Sequence, residues 1–285
     1  MKKLLSLLLS MVLASMMLAS AMAADYSDVF TKYDLDASWT EAVTVTFSEN
    51  GVLVNGSGAA VDGTTVYINA AGTYVLSGEC ANGRVQVEVD KNAKVHLVLN
   101  GLTLTCTDSA PIYIVSADKC KITLADGSVN TLTDAAAYTL ALDKQPNACI
   151  YAKDDLCING NGILTVNGNM GNGIGTKNDL HIVSGNITVA AAKNALKGND
   201  SVSIKDGTLV LNAAGDGIKA DTDNKAGKGY VYIAGGSITI VSGDDGIQSA
   251  TDLSITGGQI NVEAEGKTVN SKGTQSIASG TIAVK

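Results

Sequence analysis

The chain has 285 residues, with 20 Lys and Arg against 28 Asp and Glu, which gives a formal net charge of −8. That sign argues against nucleic acid and anionic membrane surfaces as partners, and it suits a protein that holds hard cations. Glycine is abundant at 31 residues, proline occurs twice, and Arg84 is the only arginine, so chemistry that needs a guanidinium has one place to find it.

The chain opens with Lys2-Lys3, an apolar run and the small-residue sequence Ala21-Met22-Ala23. This is the pattern of a secretory signal, residues 1–23, cut after Ala23. Its removal leaves 18 basic residues against 28 acidic ones. The expectation is an exported, extracellular monomer, soluble or associated with the cell surface. No cysteine lies near the cut, which argues against a lipid anchor, and no later apolar run is long enough to span a bilayer. Residues 24–50, which contain the single tryptophan Trp39, are expected to cap the N-terminal end of the fold, because an open strand edge invites aggregation.

Residues 51–285 read as one all-β domain. The segments "TVYINAAGTYVLSG", "GRVQVEVDKNAKVHLVLNGLTLT" and "APIYIVSADKCKITLADG" alternate apolar and polar residues, as short strands do. From residue 147 the chain falls into register with itself. Ile150, Ile174, Leu196, Ile218, Ile247 and Val269 recur at spacings of 24, 22, 22, 29 and 22, the long step holding the insertion "TDNKAGKG" at 222–229. Each unit has three short alternating pieces with glycine between them and too few apolar residues for a core of its own. Stacking supplies the core, which makes this a single-stranded parallel β-helix. Roughly ten coils at about 4.8 Å each give a rod about 50 Å long. No segment carries helical periodicity, which rejects ankyrin and leucine-rich repeats.

The five cysteines, Cys80, Cys106, Cys120, Cys149 and Cys157, are odd in number and lack close pairs, so they do not form a disulfide framework. Cys106 and Cys120 sit at apolar positions and read as small buried hydrophobes. Cys157 falls between inward Leu156 and Ile158 and is expected to face outward.

The run "YVLSG", "LNGLTL" and "ITLADGSVNTLTD", followed by coils ending "GDGIKAD" and "DDGIQS", resembles the secreted carbohydrate-binding, polysaccharide-lyase-like proteins of bacteria over the whole mature chain. The resemblance implies a right-handed parallel β-helix, bound calcium, and affinity for cellulose and acidic plant-wall sugars, with no established catalytic activity.

Two places before the recurring apolar residue stand Ala148, Asn172, Asn194, Asp216, Asp245 and Lys267. Side-chain oxygens about 4.8 Å apart can share one Ca²⁺, whose oxygen bonds run about 2.3–2.6 Å. Asp216, Asp244 and Asp245 are the expected metal ligands, with Asn194 and Asp221 as further oxygens. The alternative is that Asn and Asp close turns, as both residues do. That reading is preferred for Asn172 and Asn194, and for the second acidic set, Asp155, Asp179 and Asp252, flanked by Asp154. The insertion is expected beside the Asp216–Asp245 corner, as a source of oxygens from Asp221 and Asp223 or as a solvated loop.

One place after the same apolar residue, Lys197, Lys219 and Gln248 form an outward polar row, and Lys153 and Lys177 form an adjoining basic row. Lys197, Lys219, Gln248 and Lys177 are the candidate polysaccharide contacts, suited to polygalacturonate-like chains, with cellulose as a second polymer. Tyr151 and Tyr232 do not share a corner, so no aromatic strip for crystalline cellulose is expected. "GDDGI" imitates the acid pair of a glycoside hydrolase, but the following coil lacks His and Arg, and His96 and His181 lie elsewhere. A calcium-dependent lyase with Lys197 or Lys219 as base and a structural adhesin remain the alternatives to a non-catalytic binder.

Overall fold

The computed structural model describes residues 25–40, 42–278 and 281–284; the expected signal at 1–23 lies outside the described residues. A single helical turn, α1 (Lys32–Leu35), precedes strands β1 (Val43–Ser48), β2 (Gly51–Asn55), β3 (Ala59–Asp62), β4 (Thr65–Ile68) and β5 (Gly72–Cys80). From there on the chain is almost entirely parallel strand, in an 18-stranded and a 10-stranded sheet consistent with a solenoid.

Each late unit passes through three faces. The anchor face takes the strands Asn172–Thr176, Leu196–Gly198, Ile218–Ala220, Ile247–Ser249 and Val269–Ser271. Their register sets Ile150 on Ile174, then Leu196, Ile218, Ile247 and Val269, as the spacing predicts, including the step across the insertion. Ile150 to Ile247 are fully buried in one continuous core. A second face takes Lys119–Leu124, Asp155–Gly160, Asp179–Ile182, Ser201–Ile204 and Tyr230–Ile233, and a third, the open face, takes Val129–Thr133, Ile163–Gly168, Asn186–Ala191, Thr208–Ala213, Ser237–Ser242 and Gln259–Ala264. The corner between these two is closed by Gly185, Gly207, Gly236 and Gly258, all at positive φ, with the Cβ position of each of the last three 2.9 Å from the carbonyl of the glycine below. Only glycine fits such a stacked turn.

On the open face the outward side chains form columns. Thr103, Thr131, Thr165, Thr188, Val210, Thr239 and Asn261 pair in succession. Beside them run Thr133, Asn167, Ala190, Asn212 and Val241, and on the other side Asn186, Thr208, Ser237 and Gln259.

Of the expected cap at 24–50, β1 lies at the N-terminal end of the rod, paired to β2 and β5, while the residues before it run elsewhere. Residues 25–36 run as a strap along the second face. Tyr26 stacks on Tyr230 at 4.1 Å, Phe30 meets His181 edge-on at 5.4 Å, and Lys121 lies 4.3 Å from the Tyr33 ring centre. The end of the rod is closed instead by β2 and β3, antiparallel on β1 and β4. The physical reason is on the strapped face itself. Its outward residues include Lys119, Lys121, Cys157 and His181, all buried, and buried charge needs a partner. Asp34, capped into place by a reciprocal Thr31–Asp34 box, accepts from Lys119 Nζ at 3.0 Å and lies 3.2 Å from His181 Nδ1. Cys157 pairs with His181 and faces outward as expected, but under the strap. All five cysteines are free and buried.

Candidate functional site

The corner that leads into the anchor face is built as a ladder. The backbone N–H of Asn194 donates to Asn172 Oδ1 at 3.3 Å, that of Asp216 to Asn194 Oδ1 at 2.9 Å, that of Asp245 to Asp216 Oδ1 at 3.1 Å, and that of Lys267 to Asp245 Oδ1 at 2.8 Å. The side chain of each coil thus satisfies the turn amide of the next, the role Asn and Asp play wherever a turn leaves an N–H unpaired. Asn172 and Asn194 are turn formers, as read from the sequence. Asn194 also donates its Nδ2 to Asn172 Oδ1 at 2.8 Å, which occupies both ends of the amide.

The two carboxylates do the same job with a difference. An aspartate has no N–H to return to the coil below, so its second oxygen is left for something positive or protic. Asp216 Oδ2 accepts from Lys219 Nζ at 2.6 Å, and Asp245 Oδ2 accepts from Asn270 Nδ2 at 2.6 Å. Exposed Asp244 joins them: one carboxylate oxygen from each of Asp216, Asp244 and Asp245 lies within 4.8 Å of the others. Oxygens at that separation can share a cation with bonds of about 2.3–2.6 Å. Gln248 stands in the outward column between Lys219 and Asn270, and its buried Oε1 has no hydrogen-bond partner. Lys219 and Asn270 both bend back onto the corner, each donating to one aspartate Oδ2. The donor set fits calcium, in competition with the Lys219 ammonium.

Other expected site residues fall as follows. Lys197 and Lys219 are register neighbours, with Gln248 next, so the polar row exists. Lys177 lies exposed one place past the Ala152–Thr176 pair. Asp221 does not join the acid corner. It pairs with Lys197 at 2.8 Å, because the insertion leaves the far end of the anchor strand while Asp216 and Asp245 precede it. The insertion brings cations to the other acidic corner: Lys225 reaches Asp200 at 2.8 Å and Lys228 reaches Asp179 at 2.7 Å. There burial, with the neighbouring Asp179 charge, raises the Asp155 carboxyl above its usual range, and Lys228 sits on Asp179 itself. Thr222 and Ser201 complete that corner with hydrogen bonds to Asp200 and Asp179.

Two features escaped the sequence reading. Tyr113 lies on the same column as Tyr151, with ring centres 5.8 Å apart, and the register of the irregular early coils was the only signal that could have paired them. Both rings are buried, with Leu142 packed against them. The strapped face also holds a polar relay: His96 Nε2 lies 2.7 Å from Thr123 Oγ1, Thr123 donates to Asn159 Oδ1 at 2.5 Å, and Asn159 Nδ2 donates to the Asp34 and Asp36 carbonyls. With the Thr123 proton committed to Asn159, His96 donates from Nε2. Burial, with the Lys121 charge, lowers His96 to about 4, so it is neutral at pH 7. Both histidines therefore serve the strap, and Arg84 lies on early coils with Nη2 3.5 Å from Tyr67 Oη. Neither residue type stands at the acid corner.

A family model described as "Carbohydrate-binding domain-containing protein" matches residues 62–285. A protein of that description from Acetivibrio thermocellus (strain ATCC 27405) is 48% identical over 139 residues, which are 48% of this chain and 49% of the relative. The chain thus matches about half the length of that curated relative. A solved structure, the polysaccharide lyase-like protein from C. thermocellum in a gadolinium derivative, is similar over 85% of this chain and 100% of that one, at 44% identity and a TM-score of 0.82.

Proposed function

The chain belongs to the carbohydrate-binding domain-containing protein family, and from that premise we propose that it is a secreted, non-catalytic binder of acidic plant-wall polysaccharide, of polygalacturonate type, that works with bound Ca²⁺. The observation that carries this reading is the acid corner: one carboxylate oxygen from each of Asp216, Asp244 and Asp245 within 4.8 Å of the others. Bound calcium supplies a divalent charge that carboxylates of protein and polymer share. A neighbouring protein of this fold has been prepared as a gadolinium derivative, and gadolinium too is a hard ion that prefers oxygen ligands, which supports cation uptake here. Lys197 and Lys219 hold the polymer beside the corner. When the sugar carboxylate arrives, each exchanges its intramolecular partner, Asp221 or Asp216, for the ligand.

The lyase reading has Lys219 in its favour, since its Nζ lies at the cation corner. The same contact works against it: the amine nitrogen is turned onto Asp216 Oδ2 at 2.6 Å. Retention on immobilised polygalacturonate, with and without a chelator, read together with ultraviolet absorbance of unsaturated products, tests both. The binder predicts retention that the chelator abolishes and flat absorbance. Rising absorbance that Lys219→Ala stops establishes the lyase, and retention indifferent to chelator removes calcium from the reading. A protein-directed adhesin shows no retention on any glycan.

A further inference from the structure

The two ends of the rod are finished differently. At the N-terminal end β2 and β3 reverse direction and lie antiparallel on β1 and β4. At the other end the strands Val269–Ser271, Gln275–Ile277 and Thr281–Val284 each pair on one side alone among the described residues. The inward columns stop there uncovered. Ile233 and Ile255 are fully buried, whereas Ile277, the next residue of their column, is 48% exposed. Val269 and Ile282 end the other two columns half-buried. A terminal repeat of a soluble solenoid normally turns a polar outer face to solvent. This one offers three aliphatic side chains beside edge strands whose outer backbone groups are a template for pairing.

We propose that this rim receives the N-terminal end of a second copy of the chain, so that rods join head to tail. The anchor column supplies the register. It runs from Val61 through Val66, Val85 and Ile112 to Ile247 and Val269. Val61 is 41% exposed although its partner Val66 is fully buried, so a straight stack sets Val61 of one copy on Val269 of the next. Strand order agrees. β3 and Val269–Ser271 are the two edges of the 10-stranded sheet, and because β3 is reversed their junction is an antiparallel edge pairing. Charge separates this contact from rim against rim. Residues 42–83 hold Glu49, Asp62 and Glu79 and no basic residue, whereas residues 266–284 hold Lys267 and Lys272 and no acidic one, with Glu263 and Glu265 in the coil before. The same stack brings exposed Asp62 beside exposed Lys267, whose Nζ donates within its own coil to a neutral oxygen, Asn270 Oδ1, at 3.1 Å. Rim against rim sets lysine on lysine. Because the two joined surfaces differ, the contact does not close on itself, and straight stacking repeats it into a filament. Neither the acid corner nor a glycan takes part, so this inference is independent of the proposed function.

Sedimentation velocity of the full mature chain tests this. The native chain is expected to form species that lengthen with concentration and shorten at high salt, as a contact between opposite charges does. Two variants block one end each: Val61→Lys the N-terminal end, Ile277→Lys the rim. Each alone is expected to stay monomeric where the native chain assembles. Mixed in equal amounts they are expected to form a dimer and stop, since one keeps only its rim and the other only its N-terminal end. Lys267→Glu, at an exposed position, keeps the test open if either variant does not fold, which circular dichroism checks. It is expected to weaken assembly roughly tenfold. A native chain that is monomeric up to about 1 mM overturns the proposal, as does assembly that Ile277→Lys or Lys267→Glu leaves unchanged. Folded end-blocked variants that ignore each other in the mixture overturn it too. So does a Val61→Lys chain that dimerises by itself, because the rim then pairs with another rim.

Discussion

The strapped face and the open face are made by the same rungs, one corner apart, yet they solve opposite problems. The strapped face places Lys119, Lys121, His96, His181 and Cys157 outward and then buries them. The open face places Thr, Asn, Ser and Val outward and leaves them to solvent. A charged outward column is tolerated under cover only where the cover brings matching groups, and residues 25–36 bring Asp34 to Lys119 and His181 together with main-chain carbonyls for Asn159. A neutral column needs no cover. The two faces show that the repeat dictates the inward ladder alone, and that the outward chemistry of each face is free to serve packing or recognition.

Removing the keystone of the strap is the most severe way to break this contrast. Asp34→Ala leaves the Lys119 ammonium buried without its carboxylate, a loss of about 3–5 kcal/mol by the usual cost of breaking a buried pair. Leu35→Ala, one residue on and largely exposed at 46%, is expected to change stability by less than about 0.5 kcal/mol. Urea midpoints at pH 7 compare them. Equal effects in the two variants mean that the strap is a loosely held arm and the buried pair is not what fastens it.

Acid sharpens the same contrast, and it does so in two stages. His96 is neutral in the fold and lowered to about 4 by burial, whereas an unfolded histidine titrates at about 6.5. Between those values the unfolded chain binds the additional proton, so stability falls as pH drops from about 6.5 towards 4. Burial alone would raise the Asp34 carboxyl, but the His181 hydrogen bond, the Lys119 charge and the Thr31 N–H together hold it well below the usual range. Its contribution is therefore intact above about pH 4 and is lost only as the pH falls further. Urea midpoints across pH 7 to 3 are expected to show both stages, and His96→Gln to remove the first while costing about 1–3 kcal/mol at pH 7. A native chain whose midpoint stays flat from pH 7 to 4 contradicts the buried neutral imidazole.

Cys157 reports on the strap without perturbing it. Burial, with the nearby Asp34 charge, pushes its thiol well above the ordinary range, and its Sγ lies 3.8 Å from the Asp34 carbonyl. Alkylation mapped by mass spectrometry is expected to leave Cys157 unmodified in the native chain and to label it ahead of core Cys120 in Asp34→Ala. Simultaneous labelling of the two indicates global unfolding and no separable strap.

The anchor register was readable from residue spacing because identical apolar positions recur, and the pairing of Ile218 with Ile247 across the insertion needs nothing beyond that count. The acid column was readable for the same reason. The direction of the insertion follows from position as well, since it comes after Ile218 whereas Asp216 precedes it, and Asp221 accordingly meets Lys197. The strap was not readable. Asp34 meets partners 85 and 147 residues away, and no period links a short acidic, aromatic segment to the coil it will cover. Lys219 and Asp216 stand three residues apart, yet their pairing depends on a side chain bending back over a turn, which alternation cannot convey.

The gentlest perturbation tests the open side. Thr188 and Thr239 are exposed on a parallel face where β-branched residues are favoured for their shape, and neither hydroxyl is needed to satisfy a buried group. Thr188→Val with Thr239→Val retains the branching and deletes only the hydroxyls, so the urea midpoint is expected to move by less than about 0.5 kcal/mol. A loss of stability above about 1 kcal/mol would mean that the threonine column holds the rungs together, and that its neutrality reflects packing and not recognition.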